Sequence, residues 1–105
     1  MAKAQLLYRD GGRAFLSGVL DFDTVADLWS SGAKLLARQP RVVIDLGGVS
    51  GCNSAGLALL VEWMRHARRH GTYLAYARMP EQMLALVRLT GLDAVLGAVS
   101  RPRRS

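Results

Sequence analysis

The stretch that most constrains the fold is residues 42–64, where a strand-like run, a glycine-rich segment and a helix-like pattern follow one another. The β-branched residues 42–44 fit a strand that is buried on both faces. Residues 45–52 contain three glycines, which is typical of a loop. Asn53 and Ser54 are both good N-cap residues, and the apolar spacing after them is helical. The pattern therefore places Ser54 at a helix N-terminus, where free backbone N–H groups favour an anion or an oxygen-rich partner.

The rest of the chain alternates between strand-like and helix-like segments. Residues 10–12, Asp-Gly-Gly, predict a tight hairpin turn. Pro80 is typical of a first helical turn, and Gly71 and Gly91 are typical of positions just after a helix. The predicted elements are strands at 5–9, 14–18, 42–45 and 72–76, helices at 25–38, 54–70 and 80–90, and a last short strand or apolar tie at Val95-Leu96. The order β-β-α-β-α-β-α-β predicts a single α/β domain with a mixed sheet at residues 1–100, followed by a basic tail at 101–105.

The second predicted helix carries two apolar stripes, which is one more than packing on a sheet requires. Leu59 and Trp63, four residues apart, are neighbours on its second face. We expect this face to contact either the third helix or another protein, with Trp63 as a binding hot spot. Trp29 lies at the edge of the first helix's core stripe. The core stripes are Val25, Leu28, Gly32, Leu35 and Leu36 in the first helix and Leu57, Leu60, Val61, Met64 and Ala67 in the second.

The composition is that of a globular protein, because half of the 105 residues are hydrophobic and 21% are charged. No apolar run approaches the roughly 20 residues that span a bilayer. The N-terminus lacks a signal-peptide pattern. A single cysteine cannot form an internal disulfide. We therefore expect a cytoplasmic protein.

The formal net charge is +6, and half of it lies on the three arginines of the tail at 101–105. Such a balance suits nucleic acid, anionic lipid or an acidic protein surface, but also a merely solvated arginine-rich surface. No nucleic-acid reader motif is present, and the few aromatic residues are not interleaved with the basic ones, so we expect no specific nucleic-acid partner. If the protein were a nucleic-acid-associated domain, its binding would depend on Arg65, Arg68 and Arg69. The affinity would then fall steeply as the salt concentration rises.

A strand, a turn, a serine and a helix also present the nucleophile of hydrolases, so catalysis has to be considered. Cys52 occupies the position where the G-x-S-x-G elbow needs glycine. His66 and His70 lie roughly 18–24 Å from Ser54 along the predicted helix, which is too far for a triad. Their i, i+4 spacing suits a metal, but arginines surround them and no third ligand is near in sequence. We predict no catalysis, cofactor or metal, and we expect Cys52 to be a small buried hydrophobe rather than a reactive thiol.

These motifs resemble the STAS domain shared by anti-sigma factor antagonists and transporter regulatory modules. In that family a strand ending in Asp-Leu leads through a short turn to Asp-Ser-Ser/Ala-Gly-Leu at the start of a helix. Here residues 44–46 are Ile-Asp-Leu and residues 53–57 are Asn-Ser-Ala-Gly-Leu. The likeness extends from residues 16–20 to 80–82, and so covers nearly the whole chain. It implies a single STAS domain with helices packed on a small mixed sheet.

Within the family the chain most resembles, over residues 16–20, 24–29 and 54–63, the STAS subunit of Mla-type phospholipid-transporting ABC complexes. This implies a non-catalytic accessory subunit that binds the ABC ATPase in a complex with permease and substrate-binding subunits. It would act at the inner face of the inner membrane, associate with that membrane only through the complex, and help to maintain outer-membrane lipid asymmetry. Without its partner, the protein could also self-associate through the same docking surface. The predicted partner-binding residues are Asn53, Ser54, Ala55, Gly56, Leu59, Trp63 and Trp29.

The alternative is an anti-sigma factor antagonist, whose partner is a serine kinase that phosphorylates Ser54. Antagonists carry Asp immediately before the phosphorylatable serine, and this chain has Asn53 there. Asn caps a helix as well as Asp does, but the lost charge weakens the argument for a kinase-operated switch. A phosphate would add about −1.5 to −2 charge, which the helix N-terminus tolerates and an interface does not. Ser54 is therefore a candidate phosphorylation site, with the antagonist role less favoured.

Overall fold

The computed structural model describes residues 4–97 of the chain, which form four strands and four helices. The elements in chain order are β1 Gln5–Arg9, β2 Arg13–Leu20, α1 Val25–Arg38, β3 Arg41–Cys52, α2 Ser54–Arg69, β4 Tyr73–Ala77, α3 Glu81–Thr90 and α4 Asp93–Leu96. The α/β fold class and the first seven predicted elements are confirmed. No helix of the described residues has the length and apolar character needed to cross a membrane.

The four strands form one mixed sheet in the order β1-β2-β3-β4. Strands β1 and β2 are an antiparallel hairpin whose turn uses positive φ angles at Gly11 and Gly12, as the Asp-Gly-Gly sequence predicts. Strands β2, β3 and β4 are parallel and are connected through α1 and then α2. Because such crossovers are right-handed and both proceed in the same direction across the sheet, α1 and α2 lie on the same face.

The core lies between this face of the sheet and the helices. Alternate strand residues such as Ala14, Leu16 and Ile44 are completely buried. Tyr76, also buried, donates a hydrogen bond of 2.6 Å from its hydroxyl to the carbonyl oxygen of Leu60 in α2, and burial raises its pKa well above the usual value. This bond satisfies the one polar atom that Tyr76 carries into the core. The helix α2 is thereby fixed against the sheet.

Strand β3 takes in the glycine-rich segment after residue 45, so the prediction of a loop there is wrong. Its parallel ladder with β2 continues to the pair Leu20 and Cys52, with two irregularities in register. A Cβ on Gly48 would lie 2.9 Å from the Cβ of Ser17 on the neighbouring strand. Here glycine allows a close backbone approach beside a bulge instead of forming a turn.

The described region ends in a short helix, α4, where the sequence predicted a last strand or apolar tie. Leu96 is completely buried and α4 packs on α2, so the apolar tie is present in helical form. The backbone N–H of Leu96 bonds to the carbonyl oxygen of Leu92 at 2.9 Å. Two apolar residues are too few to distinguish a period of 2 from one of 3.6, which explains the wrong assignment. The predicted basic tail at 101–105 lies outside the described residues.

Candidate functional site

Adjacent residues in the turn from β3 into α2 have separate structural roles. Asn53 is the N-cap, and its side-chain oxygen accepts a hydrogen bond of 2.9 Å from the backbone N–H of Ala55. Ser54 is the first helical residue and is exposed. Within residues 4–97 the Ser54 hydroxyl makes no hydrogen bond. Because Asn53 supplies the cap, the Ser54 hydroxyl remains available at the helix N-terminus.

Cys52 and Gly56 lie on the inner side of the same turn. The Cys52 thiol donates to the carbonyl oxygen of Asn53 at 3.3 Å, and burial raises its pKa to about 11. A Cβ on Gly56 would lie 2.5 Å from Cys52 Sγ and 2.7 Å from the Cβ of Leu20. Cys52 is therefore the buried hydrophobe that the sequence predicts. Gly56, predicted to bind a partner, is instead buried where α2 meets β2.

The turn before α1 presents an aromatic ring to solvent. Thr24 is the N-cap of α1, but its hydroxyl donates to the carbonyl oxygen of Val19 at 2.9 Å and accepts from the N–H of Asp21 at 3.0 Å. The Asp21 carboxylate accepts from the N–H of Asp23 at 2.9 Å. These bonds hold a compact turn. Phe22, in its middle, is 75% exposed.

An apolar groove of about 300 Å³ lies between the first turns of α1 and α2, and its lining includes Ala55, the residue after Ser54. We call it the α1–α2 groove. Trp29 forms part of its wall, and its ring meets the His66 ring edge to face at 5.4 Å between centroids. Leu59, 4% exposed, closes the groove from the α2 side. The groove is lined by Phe22, Val25, Ala26, Trp29, Ala55, Ala58, Leu59 and Glu62.

Trp63 does not reach this groove. It is completely buried, its indole lies against Gly32 of α1, and its indole N–H donates to the carbonyl oxygen of Trp29 at 3.3 Å. At Trp63 the second apolar stripe of α2 is therefore covered by α1 of the same chain. The prediction of an outside partner or the third helix at this position is wrong for Trp63. Gly32 makes the close approach of the two helices possible because it has no side chain.

Several groove residues were missed from the sequence, above all Phe22, Ala26, Ala58 and Glu62. The signal that could have identified Phe22 is its position between Asp21 and Asp23, where a large aromatic side chain has no apolar neighbour to pack against. No such signal marks Ala26 or Ala58, because a small residue lines a groove only through the packing of the two helices.

The two histidines lie away from Ser54, near the C-terminal end of α2. His66 Nε2 is 3.2 Å from the carbonyl oxygen of Ala33, and its pKa is lowered by burial and by the neighbouring His70. Among the described residues, no group of three potential ligands of the His, Cys, Asp or Glu types is placed to hold a metal. The N-terminal part of α2 therefore presents an apolar groove whose lining residue Ala55 directly follows the exposed Ser54.

Comparisons with known proteins agree with this fold. A family model described as "Mlab, STAS domain" matches residues 11–97. Among solved structures, a chain of the Acinetobacter MlaFEDB complex in an ATP-bound conformation is 25% identical, with a TM-score of 0.72, over 82% of this chain and 92% of that chain. A search of curated proteins gives no match.

Two antagonists have the same fold at lower identity. An anti-sigma factor antagonist from Mycobacterium paratuberculosis is 24% identical, with a TM-score of 0.75, over 98% of this chain and 87% of that chain. The phosphorylated Bacillus cell fate determinant SpoIIAA is 14% identical, with a TM-score of 0.69, over 97% and 92%. Since the family model spans most of the sequence and the order of elements agrees, this chain belongs to the MlaB-type STAS domain family.

Proposed function

We propose that the protein is a non-catalytic accessory subunit that binds the ATPase of a phospholipid-transporting ABC complex of the Mla type. It supports assembly and activity of that complex and thereby the maintenance of outer-membrane lipid asymmetry. The partner is a MlaF-like ATPase subunit, in a complex with permease and substrate-binding subunits. The protein lies at the inner face of the inner membrane, and its association with that membrane is indirect.

The observation that carries the proposal is the α1–α2 groove beside the exposed Ser54. An apolar groove with an exposed Phe22 at its mouth suits a protein partner better than a soluble metabolite, because it offers few polar groups to orient a small ligand. The similarity to a chain of an ATP-bound MlaFEDB complex supports an ATPase as that partner. Trp29, Leu59 and Ala55 provide apolar contact in this proposal, and Ser54 provides a polar contact at the groove's edge.

Three of the predicted partner-binding residues have other or shared roles. Asn53 is exposed but uses its side-chain oxygen for the cap, so its contribution is to position Ser54. Gly56 and Trp63 are buried, and we assign them to packing. Phe22 joins the set, since burying a phenylalanine side chain contributes about 1.5–3 kcal/mol.

The test is co-purification of the tagged protein from its native host, comparing wild type with Phe22→Asp, Ser54→Asp and Trp29→Ala. We expect an ABC ATPase and its permease to be identified with the wild type. Phe22→Asp and Ser54→Asp should lower their recovery about tenfold or more, because each places a charge on the docking surface. Asp is favourable at a helix N-terminus, so Ser54→Asp should remain folded.

The matched control is Leu89→Asp, on the exposed face of α3. Leu89 is 83% exposed and does not line the groove, so the same change of chemistry should leave recovery unaltered. Equal losses with Leu89→Asp and Phe22→Asp would contradict the docking site. Gel filtration of the same variants measures self-association, which Phe22→Asp should abolish if the isolated protein pairs through the groove.

The second candidate is an anti-sigma factor antagonist regulated by phosphorylation of Ser54. The observation in its favour is that Ser54 is exposed, as the substrate residue of a kinase must be. The protein also shares its fold with phosphorylated SpoIIAA. Recovery of a serine kinase, together with phosphate on Ser54 by mass spectrometry, would replace the transporter proposal with this one.

A further inference from the structure

The sheet has a second face, opposite the one on which α1 and α2 pack. Residues aligned across neighbouring strands lie on the same face, so the ladder identifies its members. Leu7 pairs with Phe15, Arg9 with Arg13, Arg13 with Val43, Val43 with Ala75, and Arg41 with Tyr73. We call these eight residues the open sheet face. They are exposed or half-buried, in contrast to the alternate residues in the core.

Arginines and aromatic rings are paired on the open sheet face. The guanidinium of Arg41 lies 5.0 Å from the centroid of the Tyr73 ring, and that of Arg13 lies 6.0 Å from the centroid of the Phe15 ring. These separations are those of cation–π contacts. Tyr73 is 51% exposed. Planar cationic groups and rings are therefore presented together to solvent.

The positive charge of the face is not neutralised by the described part of the chain. Arg9 and Arg13 are directly opposite each other on β1 and β2, an arrangement that repulsion disfavours. Within residues 4–97, neither Arg9, Arg13 nor Arg41 has an ion pair. The acid aligned with this face is Asp45, and its carboxylate is already held at 3.0 Å by Arg78. An anionic ligand would relieve the repulsion.

We propose that the open sheet face binds a single-stranded nucleic acid. Guanidinium groups bind phosphate in a planar, bidentate manner, and bases stack on aromatic rings or on guanidinium planes. Phe15 and Tyr73 are two strands and four residues apart, which is roughly 16 Å at ordinary strand spacing and rise. One extended strand of nucleic acid can therefore place a base near each ring and phosphates near the arginines between them.

Two other anionic partners fit this face less well. A membrane surface requires a broad apolar face that enters the lipid, whereas three of the eight residues of the open sheet face are arginines. An acidic protein segment would pair with the arginines but would leave the rings without a role. Single-stranded nucleic acid uses both components of the surface.

The arginines that the sequence suggested for nucleic acid are less available. Arg65 pairs with Glu62 at 3.1 Å, and Arg68 donates to the carbonyl oxygen of Val95 at 3.0 Å. The sequence also suggested that aromatic and basic residues are not interleaved. In the sheet they are, because Arg41 on β3 and Tyr73 on β4 are brought together by the parallel register.

The test is fluorescence anisotropy of the full-length protein with a ten-nucleotide oligouridine, at salt concentrations from 50 to 300 mM. The double variant Arg13→Gln/Arg41→Gln should weaken binding at least tenfold. Its slope of log affinity against log salt should become shallower by about 1.4, the value for two lost phosphate contacts on a single strand. Tyr73→Val should weaken binding about tenfold with the slope unchanged, and Tyr73→Phe should retain binding. Circular dichroism checks that each variant is folded.

The control is Arg38→Gln/Arg88→Gln, which removes the same charge from exposed helical positions. We expect it to change affinity less than twofold. Equal effects of the two double variants would overturn the proposal, since binding would then follow net charge alone. The absence of binding at 50 mM salt would also overturn it, as would binding of phosphatidylglycerol vesicles through Arg13 and Arg41 without binding of the oligonucleotide.

Discussion

At the scale of single residues, the site depends on three consecutive side chains that point in different directions. Cys52 enters the core, Asn53 caps the helix, and Ser54 faces solvent. From the sequence, Asn53 and Ser54 were equally good caps. The structure distinguishes them because the extended backbone of Asn53 directs its side chain at the Ala55 N–H, one residue inside the helix.

Because Cys52 is buried, we predict that its thiol reacts slowly with alkylating reagents. Its pKa of about 11, against an ordinary 9.0, reduces the thiolate fraction about 100-fold at neutral pH, and the thiolate is the reactive form. We expect iodoacetamide to alkylate Cys52 at pH 8 at least 100-fold more slowly in the native protein than in urea-unfolded protein, followed by mass spectrometry. Similar rates in the two states would show that the turn between β3 and α2 opens readily.

At the scale of elements, the packing of α1 on α2 determines which apolar surfaces remain exposed. Trp63 fills the contact over Gly32, which leaves the first turns of the two helices separated by the α1–α2 groove. The sequence predicted both helices and their core stripes from local periodicity. It could not predict that α1 covers Trp63, since that contact joins residues 31 positions apart in the chain.

A substitution at Gly32 tests this packing. Alanine would normally stabilise a helix by about 1 kcal/mol relative to glycine, but here its Cβ would overlap the Trp63 indole. Overpacking of a core costs about 1–3 kcal/mol, so we expect Gly32→Ala to lower the free energy of unfolding, measured by urea denaturation. Ser30→Ala, at an exposed position in the same helix, should change it by less than about 0.5 kcal/mol. A Gly32→Ala protein as stable as wild type would mean that the helices are less tightly packed.

At the scale of the whole molecule, one face of the sheet carries the helices and the other carries arginine. His66 of α2 contacts the Ala33 carbonyl oxygen of α1, and folding partly removes its ring from solvent, so its protonation affects the free energy of unfolding. Burial, with a smaller contribution from His70, lowers the pKa of His66 below its ordinary 6.5. The unfolded chain therefore binds more protons than the native protein at pH values between the two pKa values.

We accordingly expect stability to decrease on acidification. The contribution of neutral His66 to the free energy of unfolding is fully present above pH 6.5. It is lost as the pH falls from 6.5 through the lower pKa of the native protein. Urea unfolding between pH 7.5 and 5.5 should show this decrease, and His66→Gln should flatten it. His70→Gln should retain most of the slope, because burial of His66 is the larger cause. An unchanged slope in His66→Gln would assign the effect to other groups.

The sequence alone determined the order of the first seven elements, the bounds of α1, the glycines that end helices and the STAS family, because each depends on neighbours within a few residues. The sequence-based prediction ended β3 too early, because glycines suit both a loop and a strand. It also assigned α4 as a strand or apolar tie, because a two-residue apolar run suits more than one local structure. Only the tertiary structure decided that Trp63 is buried, that Phe22 borders a groove, and that Arg41 lies over Tyr73. These are contacts between distant segments, and they depend on register and helix packing, which local patterns do not encode.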